Sequence, residues 1–184
     1  YCLTEPGAGS DAASLRTSAV RDGDDYVVNG AKVFISGAGD TDVLVAMLRT
    51  GDIGAKGITA LLIPADAPGV SYGKKEEKMG WNAQPTRMIT FEDVRVPLGN
   101  RLGEEGQGFA IAMEGLDGGR INIATCSIGT AQQALEEATA YVQERKQFNS
   151  AIAEFQSIQF KLADMLTELV AARQMVRLAA YKLD

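Results

Sequence analysis

The first eleven residues, Tyr1-Cys2-Leu3-Thr4-Glu5-Pro6-Gly7-Ala8-Gly9-Ser10-Asp11, set two glycines around one small residue and follow them with a hydroxyl and a carboxylate. Small residues in such a stretch let backbone N–H groups come close to an anionic or polar ligand, and Thr4 and Ser10 add hydroxyl donors. The same residues also make an ordinary turn, and local physics alone does not separate the two readings. Two nucleotide-binding patterns are excluded, because no G-x-G-x-x-G lies in a βαβ unit and no Gly-Lys-Ser/Thr follows the loop. A second constellation, Asp117-Gly118-Gly119-Arg120, is expected to open a long helix. There it would offer free N–H groups and the positive end of the helix dipole beside an arginine fork, a setting suited to a polyanion. Asp117 could equally serve only as the helix cap.

Composition narrows the chemistry. The 184 residues contain no histidine, which removes Ser-His-Asp and Cys-His nucleophile systems. Cys2 and Cys126 are too few for a disulfide framework and, without an imidazole, make a poor zinc site, so no metal is expected. Both are read as small buried residues in a reducing compartment. The 24 acidic against 18 basic side chains argue against a nucleic-acid or anionic-membrane surface as partner. No apolar run is long enough to span a bilayer. The chain starts at Tyr1 and ends at Asp184 within a helical pattern lacking a stop signal, so it is expected to be part of a longer polypeptide.

The elements that would position these residues change character near residue 100. Before it, short apolar or β-branched stretches (Leu15–Val20, Tyr26–Val28, Val33–Ser36, Val43–Leu48, Ile58–Ile63, Met88–Val96) alternate with turn signals. Asn29-Gly30 predicts a type I′ hairpin pairing Tyr26–Val28 with Ala31–Ser36. After Gly106, Ile121, Ile128, Leu135 and Val142 recur every seven residues with Ala124, Ala131 and Ala138 between them. Ile158, Leu162, Met165, Leu169, Ala172, Val176, Ala179 and Leu183 form a second stripe of helical spacing. A short helix over Gly108–Leu116, a break at Arg145–Asn149 and a second long helix from about Ser157 complete the pattern. The predicted class is α+β: an antiparallel, barrel- or sandwich-like β domain over residues 1–102, a linker around Pro97–Gly106, and the first helices of an α-helical bundle over 103–184.

Five stretches in order resemble the acyl-CoA dehydrogenase family: Tyr1–Asp11; Asn29-Gly30-Ala31-Lys32-Val33-Phe34-Ile35-Ser36; Phe91-Glu92-Asp93-Val94-Arg95-Val96-Pro97; Gly106-Gln107-Gly108-Phe109; and Glu144-Arg145-Lys146-Gln147-Phe148. Phe34, where most members carry Trp, together with Trp81-Asn82-Ala83-Gln84-Pro85-Thr86 and Leu116-Asp117-Gly118-Gly119-Arg120, is similar to the isobutyryl-CoA type.

The resemblance implies FAD held by a middle β domain and a helical bundle. It also implies α,β-dehydrogenation of a short branched acyl-CoA, by α-proton abstraction and β-hydride transfer to flavin N5; the alternatives are another subtype of the family (short-chain, 2-methylbutyryl or glutaryl) or a non-catalytic scaffold that keeps the flavin fold. Tyr1, Cys2, Leu3, Thr4, Gly9 and Ser10 would line the cofactor, Thr4 on the pyrimidine side, with Ser10 also near the CoA portion of the substrate. Phe34, Ile35 and Ser36 would pack on the flavin, Ser36 near N5. Asp117, Gly118, Gly119 and Arg120 would meet the CoA arm. Arg145, Phe148, Phe155 and Gln156 would reach the adenine–pyrophosphate half of FAD on a neighbouring subunit of a homotetramer. An electron-transfer flavoprotein is the implied electron acceptor, in a bacterial cytoplasm or mitochondrial matrix. One family branch places its general base just before the arginine equivalent to Arg120; Gly119 stands there, so the base is expected after Asp184. Glu5 and Glu114 are the nearby carboxylates, and neither is assigned the role.

Overall fold

The structure, a computed structural model, describes residues 1–183. Nine strands and two long helices follow in order. The strands are β1 (Ser18–Asp22), β2 (Asp25–Ser36), β3 (Val43–Arg49), β4 (Ile58–Pro64), β5 (Val70–Tyr72), β6 (Thr86–Pro97), β7 (Arg101–Leu102), β8 (Lys146–Gln147) and β9 (Ser150–Ala151). The helices are α1 (Gly108–Glu144) and α2 (Gln156–Leu183). Seven strands form one sheet in the order β5-β6-β2-β1-β3-β4-β7, and β8 and β9 form a separate hairpin. The large sheet is antiparallel except for β1 and β3, which meet in parallel at Ser18 and Arg49. The chain is thus α+β, with a mostly antiparallel sheet followed by helices. Internal contacts divide it into two units, Tyr1–Glu114 and Gly115–Asp184.

Alternation along the strands buries Tyr26 and Val28 of β2, Leu44, Ala46 and Leu48 of β3, Leu61 and Ile63 of β4, and Ile89, Phe91, Val94 and Val96 of β6 in one core. The hairpin expected at Asn29-Gly30 does not form, because β2 runs through these residues and pairs along its length with β6. Asn29 instead spans to the partner strand: its amide donates to Asp93 Oδ1 and its carbonyl oxygen accepts from the Asp93 N–H, both at 2.9 Å. That pair seals a bulge in β6, where Asp93 takes φ 50°. Gly30 sits at φ 138°, and a Cβ there would lie 2.8 Å from the Thr17 Cα. The hairpin that does form joins β1 to β2 at Gly23-Asp24, with Gly23 at φ 64°.

Two further expectations change. Residues within the anticipated linker form a 3₁₀ turn, Leu98–Asn100, and then β7, which pairs with Ala60 and Leu61 of β4. The short helix and the first long helix are one helix of 37 residues. Gly118 and Gly119 were expected to mark a start, yet neither takes positive φ. A helical glycine costs only about 1 kcal/mol against alanine, which the rest of α1 absorbs.

In the second unit α1 and α2 make an antiparallel helical hairpin, marked by the Arg173 guanidinium donating to Gln132 Oε1 at 2.6 Å. Ile121, Ile128, Leu135 and Val142 line its seam with Ile158, Leu162, Leu169 and Val176. Met165, Ala172, Ala179 and Leu183 of the predicted stripe remain exposed. Among the described residues no helix is long and apolar enough to cross a membrane.

Candidate functional site

β1 meets β3 only at its first residue, and beyond that point the N-terminal segment takes its place beside both neighbours. The Cys2 N–H donates to Val45 O at 2.7 Å, and the Met47 N–H donates to Cys2 O at 3.1 Å. Two residues on, the Val33 N–H donates to Thr4 O at 2.9 Å. Thr4 is thereby tied to the residue preceding Phe34. Cys2 is fully buried and Leu3 nearly so, leaving Tyr1 and Thr4 as the members of this segment that present surface. Cys2, expected to line a cofactor, is a core residue. The Tyr1 hydroxyl donates to Ala112 O of α1 at 3.0 Å.

A buried ion pair holds this arrangement. Lys32 has no exposed surface, and its ammonium donates to Leu3 O at 3.0 Å, Met47 O at 2.6 Å and Glu5 Oε1 at 2.8 Å. Its three N–H bonds thus have three acceptors, on the N-terminal segment, on β3 and on Glu5. Glu5 is 7% exposed and also accepts from the backbone N–H groups of Arg16 at 2.7 Å and Thr17 at 2.9 Å. Burial pushes the Glu5 carboxyl up, but the donors on Lys32, Thr17 and Arg16 together hold it below its ordinary value. Burial pulls the Lys32 ammonium down, opposed by Glu5. The residue-type reading missed Lys32. Its signal was a lysine flanked by Ala31 and Val33 within an apolar strand, where a charge needs a buried partner.

Directly after Lys32, β2 carries its own bulge. Lys32 pairs with Ile89 and Ile35 with Arg87, so β2 has one extra residue there, and Phe34 takes φ 57°. Simple alternation would put Phe34 on the face of buried Lys32. The bulge instead leaves Phe34 67% exposed and Ser36 exposed, with Ile35 buried between them. Among the described residues neither the Thr4 nor the Ser36 hydroxyl has a side-chain hydrogen bond. Gly9 and Ser10 are exposed beyond a tight turn closed by reciprocal Glu5–Ala8 backbone bonds of 3.0 and 3.1 Å. A cavity of about 410 Å³ beside that turn is lined by Pro6, Gly7, Arg16, Thr17 and Ala31, not by the Phe34–Ser36 edge.

In the second unit, Asp117, Gly118, Gly119 and Arg120 lie within α1, nine or more residues after its start, so their N–H groups are not free helix-terminal donors. Asp117 is not a cap; it pairs with Arg120 Nη1 at 3.2 Å on the exposed surface. Arg120 is left as an exposed guanidinium. At the other end of α1, Phe148 and Asn149 form the two-residue turn between β8 and β9, both at positive φ (52° and 65°), as a type I′ turn requires. Phe148 is 91% exposed and meets Phe155 edge-to-face, centroids 6.3 Å apart. Arg145 and Gln156 flank this hairpin, both exposed. Asparagine tolerates left-handed backbone better than phenylalanine, and the lost ring contact offsets that relief. Phe148→Asn is therefore expected to leave the stability unchanged within about 1 kcal/mol by chemical denaturation. A larger loss would mean that Phe148 is a packing residue.

Residues 1–94 match the family model described as acyl-CoA dehydrogenase, middle domain, and residues 106–184 match the acyl-CoA dehydrogenase C-terminal domain. The chain belongs to the acyl-CoA dehydrogenase family. It is 60% identical over its whole length to the mitochondrial isobutyryl-CoA dehydrogenase of Dictyostelium discoideum and 56% identical to that of Bos taurus. In each case it spans 44% of the relative's length. The solved butyryl-CoA dehydrogenase of Megasphaera elsdenii superposes with a TM-score of 0.94 at 46% identity, over 98% of this chain and 48% of that one. For an acyl-CoA dehydrogenase chain the two family matches fall on either side of β7, the strand that closes the sheet.

Proposed function

We propose that the chain is the FAD- and acyl-CoA-binding portion of a dehydrogenase acting on a short branched acyl-CoA of the isobutyryl type. The observation that carries this reading is the bond from the Val33 N–H to Thr4 O, which ties the Thr4 segment to the residue before the outward-facing Phe34. An exposed ring with two unpartnered hydroxyls near it fits the face and polar edge of an isoalloxazine. FAD, when bound, supplies the hydride acceptor. Phe34 would cover one flavin face, Ser36 would donate near N5 and Thr4 to the pyrimidine side, with Tyr1 and Leu3 bordering the segment. Ser10 and Arg120 would serve the CoA arm, Arg120 through its charge rather than through a helix terminus. Phe148, with Arg145, Phe155 and Gln156, would meet the adenine–pyrophosphate half of a neighbouring subunit's FAD in a homotetramer. An exposed aromatic held in strained backbone is the kind of feature that a binding role explains. An electron-transfer flavoprotein is the proposed electron acceptor, in a bacterial cytoplasm or a mitochondrial matrix.

Proton abstraction needs a carboxylate that is free to accept a proton. Glu5 is committed to Lys32 and two backbone donors, and Glu114 lies exposed on α1. Neither is assigned the role, and the base is proposed, as the family resemblance implies, to lie in sequence after Asp184.

The test is spectroscopic. The protein carrying this chain, purified with FAD, is expected to be yellow and to bleach rapidly with isobutyryl-CoA and slowly with butyryl-CoA. Equal or faster bleaching by butyryl-CoA would assign it to a straight-chain subtype, and no bleaching by either would overturn the dehydrogenase reading. Phe148→Asn is expected to lose FAD on dilution more readily than the parent at unchanged stability.

A further inference from the structure

We propose that Lys32 is a positioning residue for the cofactor edge, setting through its three hydrogen bonds the register between the Thr4 segment and the Phe34–Ser36 bulge. This rests on the flavin reading above, and its test is chosen so that the two can fail separately. Beyond the first residue of β1, no strand among the described residues joins the second half of β2 to β3; the short segment Cys2–Thr4 bridges them instead. Three backbone bonds hold this segment to its two neighbours, none of them from a side chain. The Lys32 ammonium adds ties to Leu3 O, Met47 O and Glu5 from a single buried point. Glu5 in turn fastens the turn that follows to Arg16 and Thr17, at the entrance to β1.

Lys32 is also the last residue in register before the bulge that turns Phe34 outward. A phenylalanine at φ 57° persists only where its surroundings over-determine the backbone. On one side those surroundings are the Ile35–Arg87 pairing. On the other they are Lys32. A tetrahedral ammonium can point three N–H bonds at three separate acceptors, here two on the N-terminal segment and one on β3, whereas a planar guanidinium needs more room and a thioether offers no donor.

Lys32→Met removes the donors at similar length. Because that variant leaves Glu5 short of a partner, Lys32→Met/Glu5→Gln is made beside it; the introduced amide removes the unpaired charge and keeps an acceptor oxygen for one of the Arg16 and Thr17 N–H groups, which bond different carboxylate oxygens. Leu61→Ala, in the β4 core and separated from the Cys2–Thr4 segment by β3, serves as a control of lowered stability. Two quantities are read in the protein carrying this chain: the Kd for FAD by apoprotein titration, and the number of this chain's thiols reacting with a disulfide reagent. Cys2 is fully buried in the tied segment, so its thiol is protected in the parent and is expected to react in both Lys32 variants.

FAD binding is expected to weaken by about tenfold or more in both Lys32 variants, and to stay within about twofold of the parent in Leu61→Ala. Unchanged FAD affinity in the double variant, with Cys2 still protected, overturns the proposal. Loss of affinity in Leu61→Ala equal to that in the Lys32 variants also overturns it, since general destabilisation would then suffice. If the parent itself binds no FAD, the flavin reading falls; exposure of Cys2 then supports the clamp on its own, and its continued protection refutes it.

Discussion

Glu5→Ala is expected to lower the folding stability by about 3–5 kcal/mol, because it strands a fully buried ammonium whose remaining partners are two carbonyls. Removing one partner of a buried pair costs more than the pair contributes, since the surviving charge stays desolvated. The measurement is urea or guanidinium unfolding at neutral pH. A loss below about 1 kcal/mol, the size of an exposed ion pair, would mean that Lys32 escapes to water when Glu5 is removed. The same residue sets an acid limit. Its folded carboxyl lies below the ordinary value of 4.5, so the unfolded chain takes up the proton first as pH falls. The stability it confers is complete above that value and is lost as pH drops through the lower, folded one. Parent and Glu5→Gln are therefore expected to converge in stability on acidification below pH 4.5 and to differ by a constant amount above it. A difference that grows in acid would reverse the assigned direction.

Gly30→Asn separates a turn from a bulge. At the second central position of a type I′ hairpin, asparagine is nearly as good as glycine, and the cost would be small. In the observed strand the residue has φ 138°, outside the region asparagine favours, and the new Cβ would meet Thr17 backbone at 2.8 Å. Backbone has little room to yield, so strain and overpacking combine to an expected loss of about 3 kcal/mol or more. The expected readout is a fall in the denaturation midpoint with unchanged slope. A loss below about 1 kcal/mol would restore the hairpin.

The class of the fold was legible because it rests on period. Alternation in β6, the short apolar runs of β3 and β4, and the seven-residue recurrence of Ile121, Ile128, Leu135 and Val142 follow from which faces are buried. Asn29-Gly30 misled because a turn dipeptide and a bulge partner share the same residue types, and what decides is the distant Asp93. Asp117-Gly118-Gly119 misled in the same way, since packing elsewhere along a long helix overrides two weak residues. The Phe34–Ser36 edge was drawn from motif resemblance, and alternation rightly sets Phe34 and Ser36 on one side with Ile35 in the core; what alternation misses is the bulge that takes both off the face of Lys32. Lys32 and Glu5 escaped because their pairing joins residues 27 positions apart in sequence, a relation that no local pattern encodes.

The unbroken run of α1 bears on how the protein can be cut. Its opening is wedged against the sheet: a Cβ on Gly108 would lie 2.5 Å from the Thr59 carbonyl carbon, and Ala112 is fully buried. The motif boundary near residue 100 is therefore a poor place to divide the gene. A recombinant β fragment ending there would lose the plug at Ala112 and the acceptor for Tyr1. A fragment extended through the first two turns of α1 would keep both.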